Sequence, residues 1–189
     1  MFTGMQFSSV KTAMEIVKAE NVGKFSPLPF VSLLVNCIIW TFYGILTKDL
    51  TVLIPNANGI LAGLFGVATF HKYARFVPHK LYFTGMAIVA WVFKLFRDKN
   101  SRGIGYMGCC LAIILSGSPL ATLGTVVRDK STAALPFLNS FTTWLNALLW
   151  ALYGSLVSKD IMVYGPNSLG FILASLQMAM YAIYGLPPK

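Results

Sequence analysis

The chain has 189 residues, of which 56% are hydrophobic and only 11% charged. A soluble domain is about 25% charged, so an ordinary cytosolic enzyme, a disordered chain and a small disulfide scaffold are excluded, and an integral membrane protein remains. The net charge of +9 reads as the Lys and Arg excess of cytoplasmic loops rather than as a nucleic-acid surface, because no basic run with interleaved aromatics lies outside the apolar segments.

The first apolar stretch, residues 1–10, is too short to cross a bilayer and has neither the basic start nor the cleavage site of a signal peptide. Phe25–Thr47 and Leu50–Phe70 follow as charge-free runs, each longer than the roughly 20 residues that a spanning helix needs. Leu81–Phe93 is shorter and reaches a useful length only if Lys94 snorkels to the interface. Gly103–Val127, Ser131–Ser158 and Ile161–Pro188 complete the series. The connections between runs are brief, such as Lys48-Asp49 and Lys159-Asp160, and leave no room for a soluble domain.

The two halves repeat each other. Asn36, Trp40, Tyr43 and Gly44 match Asn146, Trp150, Tyr153 and Gly154 in the pattern N-x-x-x-W-x-x-Y-G, offset by 110. Lys48-Asp49 matches Lys159-Asp160, and Pro55-Asn56-x-x-Gly59 matches Pro166-Asn167-x-x-Gly170, offset by 111. Leu28-Pro29-Phe30 matches Leu135-Pro136-Phe137, and Ser8-Ser9-Val10 stands where Ser118-Pro119-Leu120 stands. The expected organisation is all-α: a first three-helix repeat over residues 1–73, a linker span within 74–102, and a second three-helix repeat over 103–189. An odd number of linking spans makes the repeats parallel. The first of the seven spans is expected to be about half length, because only eight residues precede Ser9 where the sixteen residues Gly103–Ser118 precede Pro119 in the matching run.

Loop charge orients the chain. With the N-terminus outside, inside segments hold nine basic residues and outside segments six, which favours a cytosolic C-terminus.

Polar residues within spans are functional suspects. Asn56 and Asn167 are symmetric, each after a proline and before a glycine. An amide offers a donor and an acceptor, which suits the hydroxyls of a neutral polyol; the competing reading is an interhelical hydrogen bond. Trp40 and Trp150 form a second pair that can stack on the C–H face of a pyranose; the competing reading is an aromatic belt at the interface. Pro29, Pro119 and Pro136 sit near span ends as candidate kinks for alternating access or as simple packing residues. All six acidic residues, Glu15, Glu20, Asp49, Asp98, Asp129 and Asp160, fall in loops or at span ends. No carboxylate is left for a proton or sodium relay. His71 and His79 have no Cys, Asp or Glu between them, and Cys37, Cys109 and Cys110 form no C-x-x-C. No metal, no cofactor and no catalytic constellation is expected, so the chain is not read as an enzyme.

These motifs resemble the SWEET (MtN3/saliva) sugar transporters, over about residues 7–185. That family is itself an established example of parallel repeats built around a midplane site. The resemblance implies a pocket between two three-helix bundles, with Asn56 and Asn167 bonding the sugar and Trp40 and Trp150 lining it. It implies four hinge prolines, which fall on Pro29, Pro119, Pro136 and, as a departure, Ser9. It further implies facilitated, bidirectional movement of mono- or disaccharides without ion coupling, and self-association; among lipid membranes, the plasma membrane is expected ahead of an endomembrane. The rival readings are a carrier of another small metabolite and a non-transporting membrane scaffold.

Overall fold

The computed structural model describes residues 4–115, 117–133, 135 and 137–186. All regular structure among them is helical: α1 (Gly4–Ala19), α2 (Leu28–Thr47), α3 (Leu50–Tyr73), α4 (His79–Arg97), α5 (Ser101–Leu115), α6 (Gly117–Asp129), α7 (Phe137–Leu152) and α8 (Ile161–Tyr184). The chain divides into two compact units, Met1–Gly108 and Cys109–Lys189.

In the first unit, α2 and α3 are the helices long and apolar enough to cross a membrane, at 20 and 24 residues with hydropathies of 1.8 and 1.6. They form an antiparallel hairpin. Lys48 ends α2 in the left-handed region, at φ 58. Asp49 then caps α3, its carboxylate accepting from the backbone N–H of Thr51 at 2.9 Å and of Val52 at 3.1 Å. An aspartate there satisfies amides that the helix leaves without partners. Glycines bring the two helices together. A Cβ at Gly63 would stand 2.8 Å from the Leu34 Cα, and one at Gly66 would enter the Phe30 ring. Such small residues let backbones approach closely where lipid supplies no hydrophobic drive.

α1 runs past Val10, where the first apolar stretch ends, yet at 16 residues it stays about half as long as α5 and α6 together, 15 and 13 residues, at the matching place of the second repeat. It continues through Lys11, Glu15 and Lys18 to Ala19. All three charged side chains are exposed, while Ala13 and Ile16 are fully buried against Phe30 and Phe70. Counting between charges truncates a helix whose charges occupy one face. Glu15, expected in a loop or at a span end, therefore lies within a helix. The short linker span lengthens in the same way, to His79–Arg97. It packs on α2, with Phe42 against Phe96 at 4.6 Å and against Phe93 at 6.4 Å between ring centroids.

The single run expected over Gly103–Val127 falls on α5, whose first residues belong to the first unit, and on α6 in the second unit, with Ser116 outside the described residues. α7 ends in a wider π-helical turn, Tyr153–Val157, before α8. Val126, Leu135 and Tyr181 form its core. The Tyr181 hydroxyl donates to the Leu135 carbonyl at 2.9 Å, so that a phenol buried among apolar groups keeps a partner.

Candidate functional site

The repeated motif first does structural work. Asp49 N–H donates to the Gly44 carbonyl at 2.9 Å, and Asp160 N–H donates to the Gly154 carbonyl at 2.9 Å. A Cβ at Gly44 would lie 2.9 Å from the Leu53 nitrogen, and one at Gly154 would lie 2.6 Å from the Tyr164 nitrogen. The Tyr-Gly…Lys-Asp element is thus a helix–helix corner, built the same way in both units. Lys159 adopts φ 51, as Lys48 adopts φ 58, and Asp160 accepts from Met162 N–H at 2.9 Å. These Lys-Asp pairs are the brief connections between runs, and an aspartate just before an apolar run is a capping signal in the sequence.

From that corner the hairpin register runs down each pair of helices. In the first unit Gly59 packs on Cys37. Three residues forward on α2 is Trp40, and three residues back on α3 is Asn56, so antiparallel packing sets them at one level. In the second unit a Cβ at Gly170 would lie 3.7 Å from the Ala147 Cβ. The same steps reach Trp150 and Asn167.

The surroundings of each pair match too. Asn56 Nδ2 donates to the Val52 carbonyl at 2.7 Å, and Asn167 Nδ2 donates to the Val163 carbonyl at 2.7 Å. Pro55 and Pro166 lie within α3 and α8. Each removes one backbone donor from its helix and disturbs the turn before it. The acceptor carbonyl lies three residues before the proline in both cases, so the asparagine ties down the turn that the proline loosens. Such a bond uses one N–H and leaves the amide its other N–H and its oxygen. Both asparagines and both tryptophans are partly exposed. Each tryptophan has a tyrosine edge-on, Tyr43 at 5.4 Å and 78° and Tyr153 at 5.8 Å and 89°.

The candidate hinges divide. Pro29 stands at the second position of α2, where it interrupts no helical hydrogen bond. Pro29 thus stands at a helix start rather than at a kink, and Pro55 and Pro166 are prolines that lie deeper, at the sixth positions of α3 and α8. Ser9 lies within α1 and is 9% exposed. Pro119 belongs to the α6 backbone, its side chain outside the described residues, and Pro136 lies outside them altogether.

An apolar groove of about 640 Å³ also opens between α2 and α4, lined by Val31, Val35, Ile38, Tyr82, Met86 and Val89 among others. It contains neither Asn56 nor Trp40, and a lining so poor in polar groups does not fit a polyol. Among the described residues no group of three His, Cys, Asp or Glu is placed to hold a metal.

The family described as "Sugar efflux transporter for intercellular exchange" (MtN3_slv) matches residues 1–76 and 102–189, leaving out the linker helix. The bidirectional sugar transporter SWEET17 of Arabidopsis thaliana is 35% identical, over 94% of this chain and 78% of its own. SWEET2b of Oryza sativa subsp. indica is 35% identical over 94% and 82%. The solved structure of a eukaryotic SWEET transporter superposes with a TM-score of 0.77 at 31% identity, covering 95% of this chain and 89% of that one. The chain is an integral membrane protein of the SWEET (MtN3/saliva) family, which is a family of sugar transporters and not of enzymes.

Proposed function

We propose that this chain moves mono- or disaccharides in either direction across a membrane, by alternating access and without ion coupling. One observation carries the reading: each unit sets a tryptophan level with an asparagine whose amide is anchored at a proline turn, in matching geometry. In this mechanism a pyranose ring stacks on Trp40 and Trp150. The free donor and acceptor of Asn56 and Asn167 bond its hydroxyls, since a neutral polyol needs both. Its desolvation is offset by those bonds rather than by charge. Two parallel three-helix repeats, joined by the linker at 74–102, supply the moving parts. The proline turns at Asn56 and Asn167 are soft points beside the sugar. Ser9, Pro29, Pro119 and Pro136 are the proposed pivots farther out, with Pro29 acting at the entry to α2 rather than by bending it. We place the chain in the plasma membrane, with the N-terminus outside and the C-terminus in the cytosol, among lipids and as a homo-oligomer.

The test is uptake of radiolabelled glucose and sucrose by a host lacking its own sugar carriers. Asn56→Ala and Asn167→Ala should each reduce uptake at least tenfold with the protein still in the membrane. Normal uptake by the double variant would sink the site. Uptake of neither sugar by the unmodified chain at the membrane would favour another metabolite or a scaffold.

A further inference from the structure

Gln6 is a polar side chain with no role in the reading above. It lies on α1 and is 2% exposed. Its Nε2 donates to the Pro55 carbonyl on α3 at 3.0 Å, a bond between residues 49 positions apart. The Cys37 thiol on α2 hydrogen-bonds the same side chain. One amide therefore links three helices beside the turn that carries Asn56. Room for it comes from Gly59, where a Cβ would stand 2.6 Å from Nε2. A buried amide is retained in an apolar helix contact only where it is hydrogen-bonded. Here the acceptor is the residue immediately before Asn56, in the turn that a proline has already weakened.

The second unit is built differently at this point. Ala147 replaces the sulfur of Cys37, and Gly170 meets only the Ala147 Cβ, at 3.7 Å. The brace described in the first unit thus has no thiol counterpart in the second.

We propose that Gln6 is a positioning residue for sugar binding. It holds the Pro55 carbonyl, and with it the backbone from which Asn56 projects, so the Asn56 amide meets its hydroxyl without first being ordered. Gln6 does not touch the sugar. Its loss weakens binding by leaving the proline turn free to shift, because ordering a site on binding lowers affinity. The inference rests on Asn56 being a sugar ligand.

Concentration-dependent uptake, with whichever of radiolabelled glucose and sucrose the unmodified chain carries better, tests it. Gln6→Met keeps the length and removes the donor. KM should rise five- to tenfold while the maximal rate per membrane-inserted molecule stays within twofold; a loss of folding or insertion lowers the rate instead. Gln6→Asn, one methylene too short to reach the carbonyl, should raise KM similarly, and it decides the matter if Gln6→Met does not reach the membrane. A KM within twofold of the unmodified chain for the variant measured overturns the proposal. Asn56→Ala measured alongside separates the two readings. Uptake lost in Asn56→Ala with KM unchanged in the Gln6 variant refutes only the role of Gln6. Normal uptake in Asn56→Ala refutes the site and this inference together.

Discussion

An asparagine inside a spanning helix has to be satisfied somewhere, and Asn56 and Asn167 are satisfied at home. Each donates to the carbonyl four residues before it, at 2.7 Å. The bond argues against a role as glue between helices, since the amide reaches its own backbone rather than a neighbour. It also limits the amide's rotation, which in the proposed site orders the remaining donor and acceptor for the sugar. In the proposed mechanism Trp40 and Trp150 hold the sugar by ring stacking. Trp40→Ala and Trp150→Ala should each raise KM for uptake by about tenfold, on the order of 1.4 kcal/mol, near the upper end for an aromatic pair contact. Uptake curves for each variant give the value directly, and an unchanged KM would assign the rings to the interfacial belt. The aspartate caps make a purely structural prediction. Asp49→Ala and Asp160→Ala should each cost about 1 kcal/mol of stability, read as a lower thermal midpoint of the detergent-solubilised protein, with KM unaffected.

At the scale of elements, the recurring device is a corner in which one helix ends, a lysine turns left-handed and an aspartate starts the next. The glycine of each Tyr-Gly pair permits it. Gly44→Ala and Gly154→Ala place a methyl within 3 Å of the next helix's backbone. A cost of about 1–3 kcal/mol is expected for such overpacking. Gly124 offers the contrast. It lies inside α6 with nothing within 4 Å of a built Cβ. Gly124→Ala should therefore be neutral or should stabilise by about 0.5–1 kcal/mol, the helix-propensity difference. Thermal unfolding of the three variants side by side checks the ranking; a Gly44→Ala protein as stable as Gly124→Ala would show that the corner yields. Elements also mark the limits of reading by charge. α1 and α4 run past the charges that appeared to bound them because those charges lie on faces that the packing leaves exposed. Gln6 is missed for a related reason: a single amide in a short apolar stretch, with no counterpart in the repeat, carries no pattern.

For the molecule as a whole, the disposition of acid groups bears on energetics. Asp49 and Asp160 are occupied as helix caps, and Glu15 is exposed on α1. Asp129 accepts from the exposed Arg128 guanidinium at 2.9 Å. That hydrogen bond holds its carboxyl below the usual range, so it stays ionised through neutral and mildly acidic pH. None of these groups is placed to load and release a proton with the sugar. Exchange of radiolabelled sugar should accordingly be unaffected when a protonophore collapses the proton gradient, and efflux should match influx once the sugar gradient is reversed. Uptake that fell with the gradient would require a carboxylate in the cycle and would refute uniport.

The sequence by itself determined the class, the duplication and the candidate pairs. Few charges over long apolar runs admit only a membrane protein, and a motif repeated at constant spacing requires two similar hairpins. The repeat also marked Asn56 with Asn167 and Trp40 with Trp150, since symmetry can be read without coordinates. Only the tertiary structure decided what surrounds them. Cys37 on Gly59 and Ala147 on Gly170 set the register that brings each tryptophan level with its asparagine. The proline turns anchor the amides, and Pro29 proves to open a helix rather than bend one. Gln6 reaches across 49 residues to a carbonyl. The physical reason is that hydrogen bonds to backbone carbonyls and close approaches at glycine depend on which helix faces which, and that is settled by packing between segments distant in the chain.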